Sequence, residues 1–219
     1  MIYKFKFISI FCLFYISVCS YSQTDTSANN QTSQFPNIDF YRYRGTNVLD
    51  IGLGTSIMNG DFMHPILEIS SHVGYKRFIK PYLNINVGYN KFNLAYRNIF
   101  NNGYMSFDLN VETVIFPNNR FSPYAFAGAG IHASNYFKQV DSKLQGGLGI
   151  EYIVFENLGV KLFSDYNHVF SDEVDGKIFG VSDDIYWRIA CGVNYYFGGK
   201  KQLEKLLKRY PSVIKTNQL

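Results

Sequence analysis

Beyond its first two dozen residues, the chain has no apolar run long enough to cross a bilayer as a helix. Cysteine is scarce: three in 219 residues, with Cys12 and Cys19 both inside the first 22. The remainder holds only Cys191, so it has no internal disulfide. There is a single Trp, and the four His are scattered. No Cys/His metal pattern, phosphate loop or dinucleotide fingerprint occurs, and no cofactor or metal is expected. A basic body is also lacking. The formal charge is +4, but residues 200–219 carry six Lys and Arg against Glu204, and the N-terminal segment adds Lys4 and Lys6. Everything between is therefore acidic by three charges, which argues against nucleic acid as a partner.

What the chain has in quantity is aromatic residues, 18 Tyr and 20 Phe. Its beginning reads MIYKFKFISIFCLFYISVCSYSQ, a short basic region followed by an apolar stretch from Ile8 to Val18. Ser20 and Ser22 then stand at the −3 and −1 positions of a cleavage site before Gln23, so residues 1–22 read as an export signal. Cys19 invites a lipoprotein reading, but Val18 precedes it where a small residue is wanted. Residues 23–45 are rich in Ser, Thr, Asn and Gln and read as a polar periplasmic linker, with Phe40, Tyr41 and Tyr43 available to rest on a rim.

From Thr46 the period is two, the repeat of a strand. Eight strands are predicted, over about 46–58, 65–77, 81–92, 104–116, 122–133, 142–155, 158–170 and 184–197. In most of them one face is Leu, Ile, Val and aromatic, and the other is charged or small. The fifth is ambiguous, because its Ala and Gly residues conceal the parity. The lengths suit tilted strands crossing a bilayer. Connections alternate short and long: KRFIK, FPNNR and FENLG are short, and between them lie MNGDFMH, the long KFNLAYRNIFNNG, HASNYFKQVDSK and the long VFSDEVDGKIFGVSDD. Short periplasmic turns with longer outer loops characterise outer-membrane meanders. The predicted fold is thus all-β, an eight-stranded antiparallel up-and-down transmembrane barrel over 46–199, with both termini periplasmic. A basic tail follows over 200–219, helical or disordered; Leu203, Leu206 and Leu207 would share one side of a helix that could lie on an anionic membrane surface.

Several segments carry a family likeness: TNVLDIGLGTS, SPYAFAGAGI, LQGGLGIEYIVFENLGVKL and the closing WRIACGVNYYFG with its terminal Phe197. Through them residues 46–199 resemble the small outer-membrane barrels of the OmpA type. The Tyr- and Asn-rich strands and the signal ending in YSQ look like a Bacteroidota protein. GYNKFNLAYRN, NYFKQVDSKLQGGLGIEYIV and DYNHVFSDEVDG resemble a barrel associated with curli-type secretion components of that phylum. That likeness implies a partner in the export of extracellular fibres. The curli pore domain itself is absent, so pore activity does not carry over.

Nine charges fall on the predicted inner face: Asp50, Glu68, Lys76, Asp108, Glu112, Glu151, Lys161, Asp165 and Arg188. Eight strands enclose room for side chains and little for a channel, and buried charges survive only when paired. The expected arrangement is an interior ion-pair network that fills the lumen; a narrow polar pore or small-ligand transporter is the alternative. Asn167, His168 and Ser171 suggest a lipid-modifying enzyme, but Val169 and Phe170 intervene and put His168 and Ser171 on opposite faces of an extended strand. Asp172, Glu173, Asp175, Asp183 and Asp184 crowd one loop without calcium-loop spacing and read as solvated. The functional expectation is a non-enzymatic envelope component bedded in outer-membrane lipid, partnered by other envelope or secretion proteins.

Overall fold

The alternation of large apolar and polar residues leaves a sheet two ways to satisfy itself, and this chain closes it into a tube. A computed structural model describes residues 36–59, 65–97, 100–171 and 184–209. Residues 1–22, the first part of the linker, the acidic positions Asp172, Glu173, Asp175 and Asp183, and the tail beyond 209 lie outside these. A helix, α1 (Pro36–Tyr43), precedes eight strands: β1 (Asn47–Asn59), β2 (Glu68–Lys80), β3 (Leu83–Tyr96), β4 (Phe100–Val114), β5 (Phe121–Ser134), β6 (Val140–Phe155), β7 (Leu158–Val169) and β8 (Ile185–Phe197). A two-residue piece, Pro65–Ile66, extends β2 and pairs with Tyr96 and Ala95. A second helix, α2 (Gly199–Arg209), follows β8.

Each strand pairs antiparallel with its sequence neighbour, and β8 pairs with β1 from Asn47↔Phe197 to Asn59↔Ile185, which closes the barrel. The stagger can be followed through direct partners. Ile57 faces Trp187, then Tyr166, Gly146, Ala127, Val111, Ile85 and Arg77, and the circuit returns to β1 at Asn47, ten residues lower. With strands about 4.8 Å apart and a rise of about 3.3 Å per residue, that stagger tilts the strands by about 40° and gives a backbone radius of about 8 Å. Such a tube is just wide enough for side chains to fill.

The outward face is apolar. Leu53, Leu109, Leu148 and Ile189 are all more than half exposed. Aromatic residues mark both margins: Tyr75, Tyr195 and Phe197 cluster near the end holding the helices, and the Tyr89–Phe107 and Tyr166–Trp187 pairs, each with ring centroids 5.1 Å apart, lie toward the other. We call these the terminal end and the loop end. Terminal-end turns are short, at 81–82, 115–120 and 156–157. At the loop end 60–64, 97–99 and 135–139 are also short, and 170–184 is long.

Two segments depart from the sequence expectation. KFNLAYRNIFNNG, read as a long loop, is mostly paired strand, from Phe92↔Tyr104 to Tyr96↔Phe100. Here the apolar residues Phe92, Leu94, Tyr96 and Tyr104 point inward, so the apolar-out rule is inverted. The last part of the polar linker is α1, and Phe40 is buried at the barrel's end against Phe78 with ring centroids 5.2 Å apart. The parity of β5 is also resolved. Ala125, Ala127, Ala129 and Ile131 face outward, and Gly128 and Gly130 face inward beside Asn110 and Asp108. A Cβ on Gly128 would stand 2.0 Å from the Leu109 carbonyl oxygen, which explains a glycine there.

Candidate functional site: a sealed, charge-compensated lumen

Inward parity brings five buried cations (Arg44, Lys76, Lys143, Lys161 and Arg188) together with five buried carboxylates (Asp50, Asp108, Glu112, Glu151 and Asp165). A further buried carboxylate, Asp184, lies at the loop-end mouth. Eight of the nine charges expected from the sequence are in this set. Glu68 stands apart at the loop-end rim, where it accepts a hydrogen bond from Asn101 at 3.4 Å.

The network has three tiers. Nearest the terminal end, Glu151 accepts from Arg44 at 3.1 Å and from the amide of Asn194 and the hydroxyl of Tyr196. Arg44 also donates to the carbonyls of Pro117 at 2.6 Å and Asn119 at 2.7 Å, so the α1–β1 junction is fastened to the β4–β5 turn. In the middle, Asp50 is paired with Lys161, with Lys76 at 3.5 Å and with His72 at 3.3 Å. Lys76 also reaches Glu112 at 2.7 Å, whose other oxygen accepts from Asn84 at 3.0 Å. Toward the loop end, Asp108 meets Lys143 at 2.9 Å and Arg188 at 3.3 Å. Arg188 also engages Asp165 at 2.7 Å. Asn167 accepts from Lys143 at 2.7 Å and donates to Asp165 at 2.8 Å, and Asn90 donates to Asp108 at 2.8 Å.

Apolar layers close this column on both sides. At the terminal end Phe40, Val48, Phe78, Val114, Ile153 and Tyr196 pack together. At the loop end Phe92 lies 4.9 Å from Tyr186 and 6.2 Å from Tyr104, with His132 4.7 Å from Tyr104. The Arg188 guanidinium abuts this layer, 5.4 Å from the Phe92 ring centroid. Between the layers, a gap bounded by His72, Lys76, Glu112, Tyr124 and Arg188 has a volume of about 20 Å³. That is room for about one water and not for a file of them.

The sequence reading missed Arg44, His72 and Lys143 as members. Lys143 shares the inward parity of Gln145, so extending that strand's pattern by one step finds it. Nothing in the sequence marks Arg44, whose partner Glu151 lies 107 residues away. Of the possible catalytic group, Asn167 and His168 fall on opposite faces of β7. Asn167 is buried among the lumen charges, and His168 has the opposite parity, opposed to the outward residues Leu144 and Ile185. Among the described residues, no three His, Cys, Asp or Glu side chains converge to hold a metal.

A closed eight-stranded meander with an apolar wall and a filled polar interior is the fold of the small outer-membrane β-barrels. It matches Neisserial surface protein A with a TM-score of 0.57 and 15% identity, over 70% of this chain and 98% of that one. OprG of Pseudomonas aeruginosa also aligns (TM-score 0.46, 10% identity, 72% and 98% covered), as does Ail, the attachment invasion locus protein of Yersinia pestis (0.44, 15%, 69% and 99%). At these identities the likeness is one of fold alone. No family model matches the sequence. No curated protein matches it either.

Proposed function

We propose that this chain is a non-enzymatic barrel of a Gram-negative outer membrane, a structural or interaction component of the envelope. The observation that carries this reading is the lumen, filled by a network of ion pairs and closed by apolar layers at both ends. A filled column supports a rigid support for surface loops and argues against a conduit. The long 170–184 connection at the end opposite the short turns supports termini in the periplasm and loops outside. The chain's partners are then outer-membrane lipid and neighbouring envelope proteins. Its sequence likeness to a curli-associated barrel nominates secretion components among them, to be sought by cross-linking in intact cells.

The full chain and its Arg188→Met and Lys161→Met variants should be reconstituted in planar bilayers. Negligible conductance in all three is expected. Discrete openings in the unmodified protein, altered by either substitution, would replace this reading with the narrow-pore one.

A further inference from the structure

We propose that the outward wall from β5 to β1 carries a groove that holds one acyl chain of a phospholipid, whose phosphate sits at the terminal-end rim beside Arg120. This rests on the membrane reading above and goes beyond it by singling out one lipid from the surrounding ones.

The groove has a volume of about 690 Å³, within the roughly 300–1,000 Å³ typical of small-molecule sites. Two rows of directly opposed residues bound it. The lower row runs Phe121, Tyr152, Val160, Val193, Ile51. The upper row runs Ile150, Leu162, Cys191, Leu53. Between the rows, Glu151, Lys161, Gly192 and Gly52 all have the inward parity, so the outward floor there is backbone. The charged residues nearest that floor, Glu151 and Lys161, point into the lumen and are spent on Asn194, Tyr196 and Asp50.

Its dimensions identify the occupant. The lower row crosses five strands, four spacings of about 4.8 Å, so the groove is about 19 Å long. With strands tilted by about 40°, it climbs about 12 Å from the rim at Phe121. One leaflet's share of a hydrocarbon core of about 30 Å is about 15 Å. A single extended chain entering at the terminal rim therefore fills the groove before it reaches the opposite leaflet. At the entry, the exposed Arg120 adjoins Phe121, and its guanidinium rests 5.4 Å from the Tyr43 ring centroid. A fixed cation at the rim complements a phosphate. On the opposite wall Arg77 and Lys91 project outward.

The test uses the full chain folded in dodecyl maltoside, titrated with dioleoyl phosphatidylglycerol and followed by native mass spectrometry. One retained lipid, saturating at a single copy, is expected. Cys191→Trp enlarges a side chain of the upper row until it occludes the groove and should weaken retention at least about tenfold. Val87→Trp, on the opposite wall, should leave it unchanged. Arg120→Gln should abolish the preference for phosphatidylglycerol over diacylglycerol. Should Cys191→Trp not fold, alkylation of Cys191 with a bulky maleimide after folding tests the same occlusion. Retention of many copies without saturation, or undiminished retention after occlusion, overturns the groove. Insertion of the unmodified chain into phospholipid vesicles is measured in parallel. Failure there overturns the membrane reading, and success without single-lipid retention overturns the groove alone.

Discussion

Arg188 and Asp165 occupy directly opposed positions on β8 and β7, and the guanidinium meets the carboxylate through Nε at 3.0 Å and through a terminal nitrogen at 2.7 Å. The same arginine reaches Asp108 on the far side of the lumen at 3.3 Å. It is thus a strut between facing walls as well as a cross-strand partner. Removing it leaves two carboxylates short of a counter-charge in a medium that cannot solvate them. Arg188→Met should cost about 3–5 kcal/mol, read as a lowered urea midpoint for the vesicle-folded protein. Adding Asp165→Asn should recover part of that loss, with a coupling of about 0.5–3 kcal/mol. Strictly additive effects would mean the two do not act as a pair.

Glu151 gathers α1, β6 and β8 at one carboxylate. Glu151→Gln leaves the buried Arg44 without a counter-charge, and a loss of about 3 kcal/mol is expected. The effect should be local as well as global, since Arg44 anchors α1. Trypsin cleavage after the exposed Arg42 should accelerate in the variant while the strands stay protected. An unchanged cleavage rate would show that apolar packing by Phe40 suffices to hold the helix.

The apolar band can be mapped with a single charge. Leu148 lies in the middle of the outward face of β6 and is 62% exposed. In a bilayer, Leu148→Arg should cost about 2–4 kcal/mol, and Val140→Arg at the loop end of the same strand only about 0–1 kcal/mol. Equal, small costs at both positions in vesicle-based unfolding would count against a membrane-embedded band.

Cys191 faces outward among hydrocarbon side chains, and its thiol has no disulfide partner. In vesicles it should resist a charged, water-soluble maleimide, and it should react once the protein is unfolded in urea. Intact mass after timed labelling reads this directly. Rapid labelling in vesicles would place that wall in water.

The strands were legible where the rule of apolar outside and polar inside applies, as from Asp50 to Ser56 on β1 or Leu144 to Glu151 on β6. It fails at the two ends of the tube, where the lumen is itself apolar. Phe92, Leu94 and Tyr96 therefore looked like loop, although they are strand residues turned inward. The charged lining was legible for the same reason as the strands, because parity places Asp108, Glu112 and Arg188 on one face. Glu68 obeys the parity and still escapes the network, since its position on the rim is a matter of height, which alternation does not encode. Arg44 was illegible because its role depends on a helix folding back under the barrel.

That fold-back has a consequence for how the molecule is completed. α1 packs on α2, and the two bracket the seam where the first strand meets the last. Gly45 lies so close to the Phe197 carbonyl that a Cβ would stand 2.2 Å from the oxygen. The platform that receives α1 is built from β1 and β8 together, so the docked helix requires the closed seam. Its docking marks a cylinder that has shut, and a chain whose seam has not zipped would display residues 36–43 as an open end for proteases to recognise.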